Sequence, residues 1–193
     1  MKSPVRQHLT CLLALFLVLA GVFAGLSLPI PRIPWQPRSS ASITHGWNDL
    51  WVIAVRNLRV GLQLLLGAAS LGVYSLAQLV TIGLTLGLLL GGAHDAGVSW
   101  TQVALLLGPH TPIEFAGFIV IGALEFEAAI IVYRKLRYDL MDVDRPALRR
   151  YACQAMIGFT LIAVAAIVEV YITGPLAKHA AASTPTIARK VAP

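Results

Sequence analysis

The chain has 193 residues, of which 57% are hydrophobic and 12% charged, and its mean hydropathy is +0.75. This is too apolar for a water-soluble domain of its size and predicts an all-α, polytopic membrane helical bundle. The formal charge of +6 does not point to nucleic acid, because the basic residues are scattered between apolar runs, where they set membrane orientation, and no nucleic-acid motif is present.

Met1 to His8 is a short basic segment, and Leu9 to Leu28 after it has about the 20 residues that a spanning helix needs. A cleaved signal peptide competes with this reading. The length of the run, and Pro29-Ile30-Pro31 in place of a small-x-small site, favour an uncleaved first helix over 9–28 with the N-terminus cytoplasmic. Pro29 to Asp49, with Pro31, Pro34 and Pro37, is expected to be an extended outer connection, and Trp35, Trp47 and Trp51 suit the interface.

Trp51 to Gly92 is apolar for about twice the length of one span, which predicts a helical hairpin with helices over 52–73 and 79–93 and a turn around Tyr74-Ser75-Leu76-Ala77-Gln78. Arg56 and Arg59 are expected to snorkel to the outer surface. Gly83, Gly87 and Gly91 recur at every fourth position, a helix-packing stripe along which another helix, including one from a second copy of the chain, can approach closely. Cys11 and Cys153 have no spacing partner and read as packing residues rather than as a disulfide or a thiolate metal site.

After an outer loop at His94 to Trp100, Gly108 to Glu114 is a polar stretch broken twice by proline between the apolar runs Val103 to Leu107 and Phe115 to Leu124. Irregular backbone at membrane depth is tolerated only where it is buried in protein or lines a wet cavity. Thr111 is the expected N-cap, Pro112 the first helical residue, and Glu114 the third member of a capping box. A broken or half-inserted segment thus precedes the fourth helix, over 112–133; a six-helix alternative gives Val103 to Leu107 to a longer span. Arg134 to Arg150 has six basic residues against three aspartates and marks a cytoplasmic loop. The fifth helix, over 151–173, carries Ala155, Gly158, Ala165, Glu169 and Thr173 on one face and is expected to end at Gly174-Pro175. Residues 9–175 then form one transmembrane domain of about five helices, and 176–193 a disordered polar tail.

All five aspartates lie in polar connections, whereas the four glutamates, Glu114, Glu125, Glu127 and Glu169, lie inside apolar runs. An ionisable group at the centre of a membrane helix costs roughly 2.5–3.5 kcal/mol on insertion scales, so these side chains should look inward, be protonated or be paired. With the N-terminus inside, the fourth helix runs outside to inside and the fifth runs back, which brings Asn57, His110, Glu114 and Glu169 to the outer side of the bilayer. This polar cluster is the candidate site, expected to be mutually hydrogen-bonded with His110 and the two carboxylates sharing protons. Glu125, eleven residues after Glu114 and on nearly the same helical face, is a second buried acid about 16 Å deeper. Glu127 points almost opposite and reads as a snorkelling surface residue reaching toward Tyr133 or Arg134.

Structural roles stand beside the functional one: Glu114 capping its own helix, His110 bonded to a nearby carbonyl, Asn57 bonding between helices. His110, Glu114 and Glu169 offer three metal ligands, yet without a second histidine or cysteine nearby, or a zincin motif, neither a metal nor a cofactor is assigned. No serine or cysteine has a base at recognisable spacing, so no catalytic residue is assigned either.

Asn57-Leu58-Arg59, Pro109-His110-Thr111-Pro112-Ile113-Glu114 and the alanine-rich run from Ala165 through Glu169-Val170-Tyr171-Ile172-Thr173-Gly174-Pro175 together resemble the stage II sporulation protein M family of bacterial membrane proteins. The family signature has Asn-Leu-Arg at the start of the second helix, Pro-His-Gly-x-x-Glu opening a later one, and a last helix ending in a glutamate, an aromatic and Thr-Pro. Thr111-Pro112 stands where the family has glycine, and Ile82-Gly83 where it usually has Asn-Gly. The resemblance, from about Asn57 to Pro175, implies a multi-pass protein of the bacterial cytoplasmic membrane without established chemistry, which in sporulating bacteria anchors peptidoglycan-degrading partners. Other members accompany circular bacteriocin maturation and immunity. Two expectations follow: a non-enzymatic scaffold that recruits protein partners, or a membrane component of peptide maturation, export or immunity.

Overall fold

The computed structural model describes residues 4–28, 47–139 and 145–176. Most of the expected outer connection, with Trp35, and the polar tail beyond Leu176 lie outside the described residues; the last three residues of that connection, Trp47 to Asp49, already belong to a helix. Among the described residues, five helices are long and apolar enough to cross a membrane: α1 (Pro4–Ser27), α2 (Trp47–Leu65), α3 (Val73–Asp95), α5 (Thr111–Tyr138) and α6 (Arg145–Val168). Between α3 and α5 lies α4 (Trp100–Leu107), eight residues long. At about 12 Å it is far too short to span, and it takes up the Val103 to Leu107 run that a six-helix bundle would need.

In lipid no hydrophobic force drives helix against helix, so close packing of small residues has to do so. α1 and α3 show how. On α1, Thr10, Ala14, Val18, Gly21 and Gly25 are buried at spacings of three and four, and on α3 Ser75, Leu79, Gly83 and Gly87 repeat every four. Gly21 lies against Val80 and Leu84, and Gly25 against Leu84 and Leu88, so the two helices run in the same direction with their backbones nearly touching. The opposite face of α1, with Phe16 and Phe23, is exposed and suits the acyl chains. Of the predicted glycine stripe, Gly83 and Gly87 are covered by α1, whereas a Cβ placed on Gly91 would meet no other helix within 4 Å among the described residues.

α5 is the hub, packed against α1, α2, α3 and α6. Its apolar residues show no single face because it is surrounded, and every residue from Ile121 to Glu127 is buried. It meets α6 antiparallel: Gly117 sits on Gly158 and Ile162, while Gly61 of α2 packs on Phe159, Ile162 and Ile121.

Several sequence expectations are corrected. The hairpin does not turn at Tyr74 to Gln78, which is helical. α2 tightens at its end into a 3₁₀ turn (Leu66–Ser70), and the chain reverses at Leu71 and Gly72 with φ of 52° and 87°. Glycine has no Cβ to clash in that left-handed conformation, which makes Gly72 the natural pivot. Gly72 N–H donates to Gly67 O at 2.9 Å, and Ser75 Oγ donates to Leu64 O at 3.1 Å, closing the tip. At the start of α5 the N-cap is His110, without a side-chain cap bond, and Thr111 is already helical. The capping box lies on α4, where Ser99 and Gln102 satisfy each other's backbone N–H. α6 does not stop at Gly174-Pro175. It widens into a π-turn (Glu169–Thr173) and stays helical to Leu176. Pro175 has no N–H for the Tyr171 carbonyl and its ring crowds it, while Gly174 N–H reaches five residues back to Glu169 O. Cys11 and Cys153 are exposed rather than packed.

Candidate polar site at one end of the bundle

His110 ends the Gly108-Pro109-His110 turn between α4 and α5, and its ring is buried, 7% exposed. Its Nδ1 lies 3.1 Å from Thr173 Oγ1 of the π-turn, and its Nε2 makes a looser 3.4 Å contact with Thr111 Oγ1. A neutral imidazole has one N–H donor and one acceptor, so one hydroxyl accepts from the ring and the other donates to it. Val170 and Thr173 of the π-turn are both buried, which puts the Thr173 hydroxyl on the side of the ring.

Glu114, in the first turn of α5, is half-buried and within electrostatic reach of Glu169 from α6 and of Arg56 from α2. Glu169, half-buried at the start of the π-turn, acts on His110 as well. Asn57 follows Arg56 on α2 and is half-buried; no hydrogen bond joins it to the other three among the described residues. α4 rests on the π-turn, and His94 stacks on Trp100 at its start with ring centroids 5.2 Å apart.

The structure therefore places Glu169 within electrostatic reach of both His110 and Glu114 at one end of the bundle, while the hydrogen bonds of the His110 ring go to Thr173 and Thr111 rather than to a carboxylate. Sequence reasoning missed two members, Arg56 as the cation beside Glu114 and Thr173 as the partner of His110. The signal was there for Thr173, four residues after Glu169 on the same face. Arg56 had been expected to snorkel outward; it is exposed, yet its charge still reaches Glu114.

The other glutamates build the opposite half. Glu125 Oε2 accepts Ala68 N–H of the hairpin tip at 2.7 Å. Glu127 is not a surface residue: it is 4% exposed and accepts a 3.4 Å bond from Tyr151 OH of α6. Among the described residues no three His, Cys, Asp or Glu converge to hold a metal ion.

Burial holds the pKa of His110 below its ordinary 6.5, and the Glu169 charge opposes that shift only in part. The fold thus favours the neutral ring. As pH falls the unfolded chain binds the proton first, so stability is lost as pH drops through about 6.5 and below. The melting temperature of the purified protein in detergent should fall between about pH 7 and pH 5 more steeply for the wild type than for His110→Asn. Equal slopes would show that His110 is not the group responsible.

The profile of the family described as stage II sporulation protein M matches residues 10–174. An uncharacterised protein of Methanocaldococcus jannaschii is 25% identical over 131 residues, covering 66% of this chain and 72% of that protein. No solved structure matches. A profile match that takes in all five membrane-length helices, with His110, Glu114 and Glu169 inside it, establishes that the chain belongs to the stage II sporulation protein M family.

Proposed function

We propose that the chain is a non-enzymatic membrane scaffold that recruits partner proteins of the cell envelope through its bundle and its polar end, with the N-terminus cytoplasmic and the polar site at the outer face. The observation that carries this reading is the buried His110–Thr173 hydrogen bond, with Glu169 within electrostatic reach of both His110 and Glu114 and Arg56 within reach of Glu114. The His110–Thr173 bond ties the start of α5 to the π-turn that ends α6, and Arg56 of α2 offsets part of the carboxylate charge beside it. A docking protein needs such a rigid support beneath its contact surface. That surface is α4, which rests on the π-turn and exposes Trp100 at 56% and Leu105 at 38%. An aromatic anchor held by stacking against His94 is the kind of side chain that dominates interface energetics.

A photo-crosslinking residue at Thr101, exposed on α4, tests this in cells. The expected adduct is an envelope-remodelling protein, and Glu169→Gln should abolish it while the amount of folded protein in the membrane stays constant. Adducts with lipid alone, or an adduct indifferent to Glu169→Gln, would defeat the scaffold reading. An adduct with a small hydrophobic peptide would replace it with peptide maturation or export.

A further inference from the structure

The end of α6 remote from Glu169 carries a different kind of surface. Arg145, Arg149 and Arg150, with Pro146 and Cys153, line an open groove at the start of the helix. Arg145 and Arg149 are one helical turn apart and both exposed. Among the described residues no carboxylate pairs with any of the three arginines; Asp139, at the end of α5, is engaged by Lys135. The Nε of Arg150 is buried and has no hydrogen-bond partner among the described residues, although its guanidinium carbon lies 6.0 Å from the Tyr151 ring centroid.

Depth and the surface below the groove indicate what the arginines meet. The apolar helical segment Arg145–Leu176 has 32 residues and is about 48 Å long, against a hydrocarbon thickness of about 30 Å, so its first turns stand in the headgroup layer. From Arg149 the same face continues through Cys153, Met156, Thr160, Val164 and Ile167 at spacings of three and four, every one exposed. A cationic pocket thus opens directly onto a lipid-facing track. A free phosphate would use only the pocket; a molecule with an anionic head and hydrocarbon chains would use both.

We propose that this groove is a binding site for the phosphate headgroup of an anionic phospholipid of the surrounding bilayer, whose acyl chain lies along the exposed face of α6. Planar guanidinium groups make paired, charge-assisted hydrogen bonds to phosphate oxygens, which a lysine ammonium cannot reproduce. Basic side chains near a membrane surface also draw anionic lipids electrostatically. The site is independent of the scaffold reading, since it shares no residue with the polar cluster.

The test uses the full chain purified in detergent, with the melting temperature followed as phosphatidylglycerol, phosphatidylcholine or inorganic phosphate is added. Phosphatidylglycerol alone should raise it by several degrees. The Arg145→Gln/Arg149→Gln variant should need about tenfold more of that lipid, or more, for half of the effect. Lys135→Gln, which removes a basic residue already engaged with Asp139, should behave like the wild type. If the double glutamine variant does not fold, Arg145→Lys/Arg149→Lys keeps the charge, and its response should still weaken severalfold. Equal stabilisation by phosphatidylcholine would mean an acyl-chain effect alone, and equal stabilisation by inorganic phosphate a free-anion site; either overturns the proposal. A full phosphatidylglycerol response in the substituted protein would place the lipid elsewhere and overturn it too.

Discussion

Gly83→Leu is expected to remove most of the folded protein from the membrane, whereas Gly91→Leu, two helical turns further along α3, is not. A Cβ at Gly83 would lie 2.9 Å from the Val18 carbonyl carbon and 3.0 Å from the Val22 nitrogen. Those are backbone atoms of α1, which cannot swing aside as a side chain can. The two helices would have to separate, and the dispersion contacts of the whole interface would weaken together. Overpacking costs typically 1–3 kcal/mol even where neighbours can adjust. Against backbone, about 3 kcal/mol or more is expected, a large share of the roughly 5–15 kcal/mol that holds a domain together. A Cβ at Gly91 would meet nothing within 4 Å among the described residues, so its substitution should leave the yield of monodisperse protein and the melting temperature nearly unchanged. Chromatography of a fluorescent fusion, followed by a thermal ramp, reads both. Similar losses at the two positions would mean that Gly91 also meets a helix, and a second copy of the chain would then be the first candidate.

The five spans were legible because the bilayer imposes a length that composition alone reveals: each needs about 20 apolar residues, and an apolar run of twice that length has to hold two. The covered stripe on α3 was legible from its glycine spacing. Its partner on α1 was overlooked, although Gly21 and Gly25 form the same small-x-x-x-small pattern. The turn of the hairpin was misplaced because Tyr74, Ser75 and Gln78 are its most polar residues, whereas the backbone reverses where glycine permits φ of 87°, at Gly72. Ser75 faces inward instead, bonded to Leu64 O at 3.1 Å. Polarity signalled a place where the chain needed a hydrogen bond, not a place where it met water.

The polar site was half legible. Four glutamates in apolar runs demanded partners, and simple up-and-down topology was enough to bring His110, Glu114 and Glu169 to one end. Which atoms meet depends on helix rotation, and rotation was altered by Pro175, whose missing N–H turns Glu169–Thr173 into a π-turn. Helical spacing put Thr173 on the face of Glu169, but which of the two the His110 ring would bond could not be counted across that break. Glu127 was misjudged for a related reason. Opposite to Glu125 seemed to mean outside, but α5 is enclosed on that side as well: Tyr151 of α6 bonds Glu127, and Cys11 of α1 lies within its electrostatic reach.

Glu125→Ala should loosen the hairpin tip, whereas Glu125→Gln should leave it closed. Glu125 lies fourteen residues into α5, about 21 Å along the helix and well inside the apolar layer. There its Oε2 accepts Ala68 N–H at 2.7 Å. No water competes at that depth, so alanine would strand a backbone donor, at a cost of about 1–3 kcal/mol. Glutamine retains a carbonyl oxygen on a side chain of the same length and can accept the same bond. The tip has a second hold on α5, because Gly72 packs onto Phe126 and Ala129. Losing the Glu125 bond should therefore increase local opening without unfolding the bundle. Amide hydrogen exchange over residues 66–72 in detergent resolves this: exchange about tenfold faster or more in Glu125→Ala, a factor that corresponds to about 1.4 kcal/mol, and near the wild-type rate in Glu125→Gln. Unchanged exchange in the alanine variant would show that Gly72 packing alone holds the tip. Equally fast exchange in both variants would show that the carboxyl group itself, rather than an acceptor of the right length, is required.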